Sequence, residues 1–221
     1  MSTDAKILLG IAGLTFMIIG GILALSMRNQ NTESTSSVVA PENRDKLVRP
    51  DSQRISATSS RVTLVEFLDF ECEACRAAYP AVKKLLDEYQ GKITFVLRNF
   101  PLHGNSVLAA QAAEAAGEQD KFWAMYDLLF TKQNEWGEKK TPQTELFIQY
   151  AAMLGLDVKK FAAALESNRY QDKIMRDKSD GLALGIKGTP TFFLNNTLFS
   201  GVPNYDDLKK LVELELQASA P

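Results

Sequence analysis

The sequence predicts an α/β fold in which a block of helices interrupts a small sheet, preceded by an N-terminal membrane-spanning helix. Three observations carry this. Val62 to Arg98 reads as strand, helix, strand. Ser106 to Leu184 shows helical periodicity without a strand signal. Two short strands and a helix then close the chain between Thr191 and Leu216.

The first element is the apolar run Ile7 to Met27, which carries no charge and is closed by Lys6 and Arg28. As a helix, its 21 residues would span about 31 Å at ~1.5 Å per residue, the thickness of a bilayer's hydrocarbon core. Two readings stay open, a cleaved signal peptide with Ala24-Leu25-Ser26 as its site, and an uncleaved anchor. The length favours the anchor, because signal h-regions run to only about 15 residues. The flanking charges do not decide orientation. The C-terminal part is expected outside the membrane, because an anchor with so short a leader acts as a signal. Residues 1–27 are therefore read as signal-anchor and 28–60 as a flexible linker, since Asn29–Ser37 and Asp51–Ser60 are too polar to bury much surface.

The folded domain is expected over 61–217. Val62–Phe70 is β-branched and aromatic, as a strand requires. From Cys72 the period becomes helical, with Ala78, Val82, Leu85, Leu86 and Tyr89 on one face, and Gly91 ends the run. Ile93–Arg98 is the second strand, parallel to the first in a right-handed βαβ unit. The helical insertion spans about 104–184, with helices at Ser106–Ala116, Asp120–Phe130, Pro142–Met153 (Thr141 as N-cap), Val158–Leu165 and Asp172–Leu184. Thr191–Leu194 pairs with Thr197–Gly201 across Asn195-Asn196, and Asp206–Leu216 is the last helix.

Composition excludes some functions. A net charge of -2 with no basic run argues against nucleic acid. The two cysteines lie in one motif, Cys72-Glu73-Ala74-Cys75, too few for a disulfide framework. Zinc would need two further ligands, and His103 is the only histidine, so no metal is expected. What remains is redox chemistry. Cys72 stands where a strand meets a helix, and unpaired N–H groups and the helix dipole favour its thiolate. Cys75, almost one turn on, can close a disulfide with it and resolve a mixed disulfide. Glu66, a carboxylate within an apolar strand, is placed to take the proton of Cys75. Gly188-Thr189-Pro190 precedes a strand, where a cis bond is consistent with a tight turn. His103, Trp123 and Trp136 are read as core or interface residues, with His103, after Pro101-Leu102, expected near the substrate groove. Asp69, Glu71 and Glu73 are expected to raise the pKa of Cys72 by charge repulsion, with Arg76 offsetting part.

Together, Val65-Glu66-Phe67, Cys72-x-x-Cys75, Arg98-Asn99-Phe100-Pro101-Leu102, Lys121-Phe122-Trp123 and Gly188-Thr189-Pro190-Thr191 resemble the DsbA-like branch of the thioredoxin superfamily, over about residues 61–217. The resemblance implies a thioredoxin fold with an inserted helical domain. It implies that Cys72 is the nucleophile, Cys75 the resolving thiol and Glu66 the buried acid. Thr189 and a cis Pro190 would bind an extended substrate segment by strand addition. It further implies an extracytoplasmic thiol–disulfide oxidoreductase with no cofactor beyond its own disulfide. Its partners would be thiols and disulfides of exported proteins and a membrane or quinone-linked redox partner. Glu73-Ala74 between the cysteines departs from the strongly oxidising members. A reductase or isomerase of the same fold, or a non-enzymatic chaperone or metal-delivery module, are the rival readings.

Overall fold

The computed structural model describes residues 38–57, 60–199 and 204–218. The apolar segment Ile7–Met27 lies outside the described residues. Among the described residues no helix is long and apolar enough to cross a membrane.

The strands are β1 (Gln53–Ile55), β2 (Thr63–Leu68), β3 (Thr94–Asn99), β4 (Thr191–Leu194) and β5 (Thr197–Phe199). The helices are α1 (Glu73–Glu88), α2 (Ser106–Gly117), α3 (Phe122–Thr131), α4 (Gln133–Trp136), α5 (Thr144–Met153), α6 (Val158–Glu166), α7 (Gln171–Ala183) and α8 (Tyr205–Ala218). They form one sheet of order β1-β3-β2-β4-β5, parallel only between β2 and β3. β2, α1 and β3 form the βαβ unit, and α2 to α7 fill the gap between β3 and β4. This is a thioredoxin-like α/β fold with a mixed sheet.

The two-residue period of a strand divides the core. Leu64, Leu68, Phe95, Leu97, Phe192 and Leu194 pack on one face with Ala78, Val82 and Leu85 of α1. Val65, Phe67, Val96 and Phe193 pack on the other with Val39, Leu47, Phe100 and Ile186. On the second face α7 comes close: a Cβ at Gly181 would stand 2.7 Å from the Phe100 ring, so only glycine fits.

The linker reading of 28–60 fails for its described part. Val38 bridges to Thr197, and Pro41–Lys46 forms a 3-10 helix. Leu47 is buried, and β1 pairs antiparallel with β3. This stretch is polar because it edges the sheet, and the ion pairs of Arg49 and Asp51 with α7 add to its strand pairing and to the burial of Val39 and Leu47. The expected cap at Thr141–Pro142 is also corrected. α5 begins at Thr144 with Gln143 at the cap, and the Gln143 side chain donates back to the Thr141 carbonyl.

Arg98 is fully buried at the end of β3. Its Nε donates to Asp177 (3.0 Å) and its Nη2 to Asp180 (2.6 Å), both on α7. Arg49 closes the network with two bonds to Asp180 of 2.7 and 2.9 Å. Asp177 also accepts the Asn99 N–H at 3.1 Å. The insertion is thus fastened to the sheet and to the N-terminal edge by one charge-balanced cluster. Removing one member strands its partners in the interior. Arg98→Ala is expected to lower the unfolding free energy by about 3–5 kcal/mol, read as a shift of the urea midpoint with an unchanged slope.

Candidate active site

Cys72 is the N-cap of α1, in extended conformation, and is partly exposed. The helix can start here because its first turns put Cys75, Ala78 and Val82 onto the sheet. Cys75 is buried (1% exposed). Both thiols are free. The Cys72 thiol donates to the Thr189 carbonyl at 3.4 Å, which brings the late Thr189-Pro190 segment onto the sulfur. The Thr189–Pro190 bond is cis. Glu66, Cys72, Cys75, Thr189 and Pro190 are therefore gathered at one end of the sheet.

The two thiols are driven apart. The Cys72 thiol is lowered to about 5. The largest cause is the hydrogen bond with Cys75; the Thr189 side chain and the backbone N–H groups of Cys75 and Ala74 add to it, against burial. The Thr189 hydroxyl oxygen is buried and has no hydrogen-bond partner among the described residues. Cys75 is pushed well up by burial, by its bond to Cys72 and by the charge of Glu66. Repulsion by Asp69, Glu71 and Glu73 was expected to dominate Cys72, and it does not. The reason is that two of those acids point away into bonds of their own. Asp69 accepts from the N–H groups of Glu71 (2.9 Å) and Leu102 (2.8 Å) and from His103 Nδ1 (2.6 Å). Glu71 accepts from the N–H groups of Asn105 and Glu138. Only Glu73 is exposed, in the first turn of α1.

Strand parity puts Glu66 on the α1 face of the sheet, with Leu64 and Leu68, beneath Cys75. Burial pushes its carboxyl up to about 8, and Oε2 has no partner. It is therefore a neutral acid at pH 7, coupled by charge to Cys75 and to the buried Tyr126.

The insertion holds the cysteine loop from outside. Gln133 Nε2 donates to the carbonyls of Phe70 (2.7 Å) and Cys72 (3.1 Å), and Arg76 reaches Asn134. A polar cavity of about 250 Å³ opens beside the loop, lined by Glu73, Gln133, Asn134 and Glu138 among others. A larger one of about 390 Å³, at Arg44, Arg61 and Asn195, lies at the far end of β2, and no predicted site residue lines it. Sequence reasoning missed Asp69, Glu71 and Gln133 as loop supports; a charged residue on each side of a short turn after an apolar strand was the available signal. Trp136 is core, its indole donating to the Leu129 carbonyl at 3.0 Å. Among the described residues no group of three or more His, Cys, Asp or Glu side chains could hold a metal.

A family model described as thioredoxin matches residues 50–214. A Na(+)/H(+) antiporter NhaA of Herminiimonas arsenicoxydans is 36% identical over 160 residues, 72% of this chain and 24% of that protein. The chain spans about a quarter of the length of the antiporters it matches. "Probable disulfide bond formation protein D" of Bacillus cereus is 30% identical over 225 residues, covering 98% of this chain and 100% of that one. Among solved structures, a thioredoxin-like oxidoreductase from Silicibacter pomeroyi DSS-3 superposes with a TM-score of 0.67 at 27% identity, over 80% of this chain and 99% of that chain.

Two pH effects are expected. The rate of Cys72 alkylation by iodoacetamide should reach half its maximum near pH 5 while Cys75 stays unreactive, as read by mass spectrometry of the two sites. Glu66, raised in the folded state, binds more protons folded than unfolded between its ordinary value and about 8. It therefore costs stability as pH rises through that window. Glu66→Gln should flatten this fall when urea midpoints at pH 5 and pH 8.5 are compared, and an unchanged slope would remove Glu66 from the account.

Proposed function

Because the chain belongs to the DsbA-like branch of the thioredoxin superfamily, we propose that it is a thiol–disulfide oxidoreductase that forms disulfides in exported proteins, anchored by residues 7–27 with its catalytic domain outside the cytoplasmic membrane. The observation that carries this is the opposed acidity of Cys72 and Cys75 at one helix start. A site that holds Cys72 as a thiolate favours its own reduced form, and so draws electrons from substrate thiols.

The chemistry runs as two exchanges. In the oxidised protein a substrate thiolate attacks Cys72 Sγ, the Cys72–Cys75 bond breaks, and Cys75 leaves with the electron pair. Cys75 cannot remain a buried anion, and the neutral carboxyl of Glu66 can supply its proton. A second substrate thiolate then attacks the substrate sulfur of the mixed disulfide, and Cys72 leaves as the thiolate. The substrate has lost two electrons and the protein pair has gained them. A membrane or quinone-linked acceptor would return the pair to the disulfide. Pro190 and Thr189 border Cys72, where an extended segment can lie against the edge of the loop. An extracytoplasmic compartment suits this direction, because disulfides persist there. Glu66 serves both directions, donating to Cys75 as it leaves and, once ionised, taking the proton back when Cys75 attacks during reoxidation.

The deciding experiment equilibrates the detergent-solubilised chain with glutathione buffers. A potential above about -200 mV supports the oxidase, and one near thioredoxin's, about -270 mV, supports the reductase. Cys72→Ser should abolish turnover, Cys75→Ser should accumulate the mixed disulfide, and Glu66→Gln should slow turnover by about tenfold or more while leaving Cys72 alkylation unchanged.

A further inference from the structure

The exchange steps make no use of His103, yet its ring is built into the site. Asp69 touches both cysteines through its backbone: its carbonyl accepts the Cys72 N–H at 3.1 Å, and its N–H points at Cys75 Sγ at 3.5 Å. Its fully buried carboxylate holds His103 Nδ1 at 2.6 Å. The histidine's own N–H donates to Ser106 Oγ at 3.0 Å, and that of Leu102 to Asp69 at 2.8 Å. The imidazole is thus fixed by backbone and side chain alike, while 46% of it remains open to water. It can exchange protons with solvent from a constant position beside the cysteine loop.

We propose that the Asp69–His103 pair is an electrostatic positioning element for Cys72: Asp69 fixes the ring, and the imidazolium supplies the positive charge that the acidic sequence around the cysteines withholds. The inference rests on the reading of Cys72 as the attacking thiol. The titratable groups that face the ring are Asp69, Glu71 and Cys72, all from the loop after β2. Burial opposes its protonation, but the bond to Asp69 and these three negative groups outweigh burial and hold the imidazole above its ordinary value. Arg76, the other cation in the segment, is turned toward Asn134. The cation therefore coexists with the thiolate over the range between the two titrations and is lost as pH rises through that of His103. Coupling is reciprocal: a cation that favours the thiolate is itself favoured by it.

That reciprocity gives a test on the unaltered full chain in detergent, where His103 is the only histidine. The imidazole Cε1–H resonance is followed against pH in the disulfide and dithiol forms. The ring should titrate at higher pH in the dithiol form, and identical titrations would overturn the proposal. In parallel, His103→Gln keeps a donor for Asp69 but no charge. Its Cys72 alkylation rate at pH 5 should fall about two- to sixfold, the effect of half to one unit in the pKa of a thiol half ionised at that pH. An unchanged rate would likewise overturn it. If the attacking-thiol reading itself is wrong, alkylation in the unaltered protein will fall on Cys75, which is a separate result.

Discussion

The site depends on one buried carboxylate. Asp69 directly follows β2 with no exposure of its side chain, and a carboxylate in that position is tolerated only when its oxygens are bonded. It draws three donors onto itself, from Glu71, Leu102 and His103. Two of these come from the loop after β3, so the turn that carries Cys72 and the turn that follows the parallel neighbour strand are tied at one point. The same residue's carbonyl receives the Cys72 N–H. The conformation of the cysteine loop is therefore set before α1 begins, by a carboxylate whose charge is answered by two backbone N–H groups and the His103 ring.

From this follows the division of labour between the sulfurs. Cys72 at the cap looks toward N–H groups and the Thr189 segment, and Cys75 three residues later is rotated into the core. Below it the alternation of β2 delivers Glu66 and not Val65 or Phe67. A one-residue shift of β2 would send Glu66 to the opposite face and an apolar residue under the cysteine. The register with β3, from Thr63 against Thr94 to Leu68 against Asn99, excludes that shift, because it would also expose the paired hydrophobic sets. Apolar patterning thus fixes the position of the one group that is not apolar.

Much of this was legible in residue order. The βαβ unit, the helical block and the closing hairpin follow from periodicity, and Cys72, Cys75 and Glu66 stand out as chemistry in places that packing does not ask for. What was hidden is long-range and ionic. Residues 41–57 look like a linker because their composition is polar, yet Arg49 meets Asp180 and β1 finds β3 far along the chain. Asp69 and Glu71 look like repulsive neighbours of Cys72 when only sequence distance is counted. Their carboxylates are turned away by N–H groups of Leu102, Asn105 and Glu138, more than thirty residues on. Charge sign was readable from the sequence, but the direction in which each charge points was not.

The insertion completes the argument. Its helices could be attached anywhere between β3 and β4 as far as the sheet is concerned, but three bonds from residues 133–138 go to the site itself. Gln133 holds the carbonyls of Phe70 and Cys72, and Glu138 offers its N–H to Glu71. At the other end α7 is locked to β3 through Arg98, and the chain then runs by Ile186 to the cis Thr189–Pro190 bond. The insertion thus grips the cysteine loop with its middle and sets the start of the Thr189-Pro190 loop with its end. The two halves of the site, separated by more than a hundred residues, are held in register by the segment between them. A shorter connection could have closed the sheet, but it would have left the sulfur of Cys72 and the carbonyl of Thr189 to meet without support on either side.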